Sequence, residues 1–207
     1  MTTTRRRDAV PDLFATLGMP SSKELKVLHD RLVAGADAED LLDVAYCTVD
    51  SPVGTLLLAA TTVGIVRIAF QIESFDLVLQ ELSDRIGSRI LLAPSRLDDA
   101  ARQLDEYFDG HRHRFDLPLD LRLSTGFRRI VLTHLGTVEF GTTTSYGEVA
   151  IAVDHPRAAR AVGTACATNP LPLVVPCHRV IRTDGVLGSY LGGTETKRRL
   201  LALEAAA

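Results

Sequence analysis

A thiol and an imidazole stand side by side in Val174-Val175-Pro176-Cys177-His178-Arg179-Val180-Ile181, between two short apolar runs. The flanking valines and isoleucine read as buried extended segments, which sets the polar centre into packing. Pro176 fixes its own φ and biases Val175 to extended geometry, so the next residue is held in one orientation. A thiol becomes a good nucleophile when an imidazole, a helix end or a cation favours its thiolate. His178 and Arg179 are both candidates for that task. The plain alternative is a structural cysteine, because free Cys is among the most buried residue types.

The elements that must position this segment can be read along the 207 residues. The N-terminal Arg5-Arg6-Arg7 lies in a stretch that reads as a solvated tail. A helix is predicted from Ser21 towards Leu42, with a serine cap, Leu25, Leu28 and Leu32 on one face, and Gly35 as its stop. Three strands follow, Val44–Val49, Thr55–Ala60 and Gly64–Phe70, joined by turns at Ser51-Pro52-Val53-Gly54 and Thr61-Thr62-Val63-Gly64. Ser74–Ile86 and Leu97–Phe108 read as amphipathic helices, the second ended by Asp109-Gly110. His111 and His113 alternate as on an exposed strand; no carboxylate or thiol partners them, so no metal site is expected there.

From Ser124 the pattern is helical throughout, with Phe127, Ile130, Val131, Leu135 and Val138 on one apolar face. Ser145 and Glu148 have the spacing of a capping box over a short helix. His155-Pro156 is expected to open the next helix, with Pro156 at its first position and Arg157 and Arg160 projecting. Two short helices and a tight turn fit a helix-turn-helix. The second helix is rich in small residues (Ala158, Ala159, Ala161, Gly163, Ala165). That pattern suits close approach to a nucleic-acid groove or tight helix packing, and spacing alone does not separate them.

Composition narrows the classes. From Arg122 onward there are ten Lys/Arg against six Asp/Glu; before it there are thirteen against twenty, within a net charge of −3. The second part can therefore face a polyanion. Cys47, Cys166 and Cys177 form neither a CxxC nor a zinc-spaced cluster, which argues for free thiols in a reducing compartment. The basic N-terminus leads to no apolar signal core, and the longest apolar run, Leu56 to Ala60, is far too short for a bilayer. The expected setting is cytoplasmic, and no membrane partner is expected.

Taken together, Thr144-Ser145-Tyr146-Gly147-Glu148-Val149-Ala150, Arg160-Ala161-Val162-Gly163, Asn169-Pro170, Val175 to Ile181, Ser189-Tyr190-Leu191-Gly192-Gly193 and Lys197 to Glu204 strongly resemble the methylated-DNA–protein-cysteine methyltransferases, or O6-alkylguanine-DNA alkyltransferases. The resemblance implies an α+β fold: an extension over 1–43, an αβ domain with a small antiparallel sheet over 44–121, and a mainly helical DNA-binding and alkyl-acceptor domain over 122–207. It implies stoichiometric transfer of an alkyl group from O6-alkylguanine, and from O4-alkylthymine, in double-stranded DNA. Cys177 would be the acceptor, His178 its base through a water, and Glu204 the group orienting His178. Tyr146 would donate toward the guanine, and Asn169, Val180, Tyr190 and Leu191 would line the pocket. Ala158, Ala159 and Gly163 would meet the minor groove, with Arg160 filling the place of the flipped base. No cofactor is implied, and a monomer is expected. Thr164 stands where relatives usually have glycine, Thr133 where many have an aromatic, and Leu191 where a smaller residue is common. Competing readings are a non-catalytic alkyl-base sensor, a thiol hydrolase using Cys177 and His178, and a regulator fused to a repair domain.

Overall fold

A computed structural model describes residues 20–39 and 41–206. Arg5-Arg6-Arg7 and the tail reading therefore lie outside the described residues. The chain divides into two compact units, one ending at Glu39 and one running from Asp40 to the C-terminus.

The first unit contains α1, Ser22–Ala38. Ser21 caps it: the Glu24 N–H donates to Ser21 Oγ at 3.3 Å, and the Ser21 N–H donates to Glu24 Oε2 at 2.8 Å. The helix runs through Gly35 instead of stopping there. A helix-interior glycine costs about 1 kcal/mol relative to alanine, too little to end a helix flanked by alanines.

The second unit opens with the three expected strands, β1 Val44–Val49, β2 Leu56–Ala60 and β3 Ile65–Phe70. Then come α2 Phe75–Arg85, β4 Ile90–Leu92 and α3 Asp98–Phe108. The sheet order is β3-β2-β1-β4, with the first three strands antiparallel and β4 parallel to β1. Both faces are covered. Val44, Leu57, Ala59, Val66 and Ala69 pack with Val78 and Leu82 of α2. Leu56, Leu58, Ile68 and Phe70 face the opposite way, into a core that continues through Leu104 and Tyr107 of α3 into the C-terminal part. That double burial explains why β2 is a continuous apolar run.

After Gly110 the chain is irregular, and His111 and His113 lie on no strand. The exposed His113 ring instead stacks on Phe140, with centroids 4.2 Å apart. Stacking on one aromatic ring holds the segment without a ladder of backbone bonds.

The remaining elements are α4 Gly126–Leu135, β5 Thr144–Ser145, α5 Tyr146–Ala152, α6 Ala159–Ala167, β6 Val180–Ile181 and α7 Gly193–Ala206. Ile130 is exposed; the buried face of α4 is Val131, Leu132 and Leu135. The C-terminal part is not purely helical, because β5 and β6 pair in parallel, Thr144 opposite Val180 and Ser145 opposite Ile181.

Candidate active site at Cys177

The segment around Cys177 is held by short backbone contacts. Pro176 has φ −80° and ψ 62°, and the Cys177 N–H donates to the Val175 carbonyl at 2.8 Å across it. These are the marks of an inverse γ-turn. Cys177–Arg179 then form one 3-10 turn leading into β6. The β5–β6 pairing ties this turn to the start of α5. There the Ser145–Glu148 box closes as expected, with the Ser145 N–H to Glu148 Oε2 at 2.7 Å and the Glu148 N–H to Ser145 Oγ at 3.2 Å. Such a cap contributes about 1 kcal/mol and fixes where Tyr146 leaves the strand.

Asn169 is fully buried and joins the end of the helix-turn-helix to the Cys177 segment. Its Nδ2 donates to the Val175 carbonyl at 2.9 Å and to Cys177 Sγ at 3.1 Å, and its Oδ1 accepts from the Leu171 N–H at 3.0 Å. The sheet reaches the same loop: the Ile68 N–H donates to the Pro170 carbonyl at 2.8 Å, with Arg67 Nη1 at 3.4 Å from that oxygen. Phe70 meets Tyr190 edge-on at 5.5 Å.

His178 is completely enclosed, and its Nε2 lies 2.7 Å from Glu204 Oε1. Burial raises the Glu204 carboxyl, but hydrogen bonds from His178, Arg179 and Tyr107 outweigh it and hold the group at about 2. Glu204 is therefore an acceptor, Nε2 carries the hydrogen, and Nδ1 of the neutral ring presents its lone pair. Among the described residues Nδ1 has no partner, and neither has the buried Tyr190 hydroxyl. Burial, together with the charges of Arg179 and Lys197, keeps His178 below its ordinary value, although Glu204 pulls the other way.

Two expectations change here. Arg179 does not serve the thiol. It grips Glu204 through Nε to Oε2 at 2.9 Å and Nη2 to Oε1 at 3.0 Å, and it donates from Nη1 to the Val138 carbonyl at 2.5 Å. The thiol itself is not ionised by its neighbours. Burial pushes Cys177 up to about 11, against smaller opposing effects of Asn169 and the Lys197 charge. The resting group is a thiol.

Tyr146 is half-buried beside this centre, and burial followed by the two nearby thiols raises its hydroxyl. A Cβ at Gly188 would collide with the Tyr146 hydroxyl and force that side chain to shift. Val180 is buried, and its carbonyl accepts from Lys197 Nζ at 2.6 Å. Leu191 is half-buried and lines a cleft of about 280 Å³ with Arg67, Arg128, Asn169 and Pro170.

The helix-turn-helix is α5 and α6, but its turn is longer than expected. Pro156 and Arg157 lie in the turn, and α6 begins only at Ala159, with Ala158 as its N-cap. The His155 N–H closes on the Ala150 carbonyl and the Ala158 N–H on the His155 carbonyl, so the proline sits inside a turn of its own. Arg160 projects, exposed, from the first turn of α6, while Ala158, Ala159 and Gly163 are half-buried. Gly163 faces the Tyr146 ring, 3.9 Å from where its Cβ would stand. A Cβ at that distance would make only an ordinary contact, so packing against the ring does not by itself require glycine at 163. Cys166 is buried, and burial raises its thiol further than that of Cys177.

Three participants lie outside the sequence-based expectations. Tyr107 of α3 donates to Glu204 at 2.7 Å, and the Gly141 N–H reaches the other carboxylate oxygen at 3.2 Å. Lys197 of α7 is fully buried. Tyr107 fell within an amphipathic pattern indistinguishable from core, whereas a lysine at an inward position of α7 was a readable signal. Among the described residues no group of His, Cys, Asp or Glu could hold a metal ion, and no helix is long and apolar enough to cross a membrane.

Comparison with known proteins matches two family models, the 6-O-methylguanine DNA methyltransferase ribonuclease-like domain over residues 44–121 and the DNA-binding domain of the same family over 126–206. The methylated-DNA–protein-cysteine methyltransferase of Mycolicibacterium paratuberculosis is 40% identical over 161 residues, covering 78% of this chain and 92% of that protein. The crystal structure of the Mycobacterium tuberculosis O6-methylguanine methyltransferase aligns with a TM-score of 0.70 at 39% identity, over 79% of this chain and 93% of that one. The same protein solved in complex with DNA also aligns at 0.70 and 39% identity, over 78% and 93%. With both domains matched and the relatives covered almost end to end, the chain belongs to the methylated-DNA–protein-cysteine methyltransferase family, the enzymes of DNA repair that move an alkyl group from DNA to a cysteine.

Proposed function

We propose that Cys177 accepts one alkyl group from O6-alkylguanine, and from O4-alkylthymine, in duplex DNA, and is consumed in doing so. The observation that carries this reading is the state of His178, with one ring nitrogen bound to Glu204 and the other unpartnered in the buried centre beside Cys177. A base placed in this way takes the thiol proton through one bridging water. The S–C bond forms as the C–O6 bond breaks, and the proton comes to rest on His178. The charge left on guanine is met by the Tyr146 hydroxyl as donor. Burial holds the resting thiol near 11, so the sulfur waits protonated until His178 takes its proton. This spares the folded protein a buried, unpaired thiolate.

In the same reading, the Val180 and Cys177 carbonyls accept from the guanine amino group, and the Leu191 N–H faces O6. Tyr190 closes the pocket, and the bulk of Leu191 limits the size of adduct it takes. A base inside a duplex must be rotated out at a cost of a few kcal/mol. Exposed Arg160 supports its assignment as the side chain that fills the gap, with Ala158, Ala159 and Gly163 admitting α6 to the minor groove. Binding is then largely independent of sequence and weakens with salt. The reaction needs no cofactor, the protein acts as a monomer where the DNA is, in the cytoplasm, and the three-part division at 43 and 121 separates an extension from two working halves.

Cys177→Ala tests the assignment. Transfer from a methylated duplex should be abolished while binding of that duplex survives; transfer by the variant would overturn it.

A further inference from the structure

Tyr107 comes from α3, packed under the sheet and far from the acceptor segment in sequence, yet its hydroxyl ends on the carboxylate that holds His178. The Tyr107 ring is wholly buried and wedged among Phe108, Phe115 and Phe140, with centroids 5.3, 5.3 and 6.1 Å away. Its position is therefore set by packing, and the hydroxyl is delivered to Glu204 Oε1, the same oxygen that accepts from His178 Nε2, both at 2.7 Å. Arg179 Nη2 completes three donors on that atom. Three donors on one oxygen leave little freedom for the carboxylate to turn, and Tyr107 and Arg179 both withdraw electron density from the bond to His178.

We propose that Tyr107 is a positioning residue for alkyl transfer, fixing Glu204 Oε1 and thereby both the aim of His178 Nδ1 and the pH at which His178 can accept a proton. This rests on the relay reading given above. The charged and titratable groups around His178 are Glu204 and Lys197 from α7, Arg179 and Cys177 from its own turn, Tyr190 from the loop before α7, and Tyr107 from α3 through Glu204. Among these, Tyr107 stays an uncharged donor, since burial and then the Glu204 charge push its hydroxyl far above the working range. It can lower the basicity of Glu204 without adding a charge to the site.

The test is Tyr107→Phe in the full chain, which keeps the ring and removes only the hydroxyl. Single-turnover transfer is followed from acid to alkaline pH on an O6-methylguanine duplex and on the free O6-methylguanine base, and the 15N shifts of the His178 ring are titrated in parallel. The expected rate at neutral pH is about tenfold lower on both substrates, as for the loss of one hydrogen bond to a charged group. The acid limb moves to higher pH, because Oε1 freed of one donor holds an imidazolium more strongly, and the His178 titration moves with it. An unchanged acid limb and unchanged ring titration would make Tyr107 a packing residue and overturn the inference, even if the rate fell. Should the wild-type chain carry no alkyl group on Cys177 under the same conditions, the relay reading itself fails and takes this inference with it.

Discussion

A thiol enclosed by apolar neighbours keeps its proton, and at the scale of single residues that fact orders the site. Cys177 sits near 11, Glu204 near 2, and His178 below its ordinary value, so the resting centre holds a neutral thiol, a neutral imidazole and the Arg179–Glu204 ion pair, with Lys197 close by on the Val180 carbonyl. Burying an ion pair is favourable only when its remaining hydrogen-bonding sites are filled, and Glu204 accepts from Tyr107, His178, Arg179 and Gly141. The sign of the pH dependence follows. Glu204 has a folded value below its unfolded one, so its contribution is fully present above about 4.5 and is lost as the pH falls toward 2. The size is on the order of 3 kcal/mol at neutral pH. His178, neutral in the fold, adds a loss in the same direction below about 6.5. Denaturant unfolding at a series of pH values should show Glu204→Gln well below wild type at neutral pH, with the gap closing in acid. Parallel curves would mean that the carboxylate is not held as described. Cys177 and His178 stand out in the sequence as a thiol beside an imidazole, whereas Glu204 and Tyr146 are picked out only by the linear motifs of the family resemblance. Tyr107 is picked out by neither, since its partner lies 97 positions away and only the folded core brings them together.

At the scale of elements, local chemistry decided what could be foreseen. The Ser145–Glu148 box is written in four adjacent residues and forms as read. The three long strands were readable because turn signals bound each apolar run. β4 was missed, being three residues long and paired in parallel across a helical connection, which no short-range pattern records. β5 and β6, two residues each, depend on each other alone. Pro156 was placed at the head of α6 by its preference for first helical positions, but a proline serves a turn equally well, and here it does. The consequence is that Arg160, not Arg157, stands in the first turn of α6. Arg160→Ala should therefore lower transfer from duplex DNA roughly ten- to hundredfold, the scale of an unstacking cost of a few kcal/mol, with little change on free O6-alkylguanine. Single-turnover rates on the two substrates check this, and equal losses on both would remove Arg160 from base flipping.

At the scale of the whole molecule, the sheet and the helices from α4 onward share one hydrophobic core, and Cys177 lies within it. Phe70 reaches Tyr190, Ile68 and Arg67 reach Pro170, and Tyr107 reaches Glu204, so the sheet-bearing half braces the centre at three points. The α+β class and the charge contrast between the halves were visible in composition and period. The bracing was not, because it belongs to contacts between distant segments. The central claim is that this enclosed sulfur is the terminus of the alkyl group. Intact mass of the protein after one equivalent of O6-methylguanine duplex, followed by peptide mapping, tests it directly. The account predicts a gain equal to one methylene on the peptide bearing Cys177 and no second event on added substrate; an unmodified Cys177, or turnover beyond one equivalent, would contradict it.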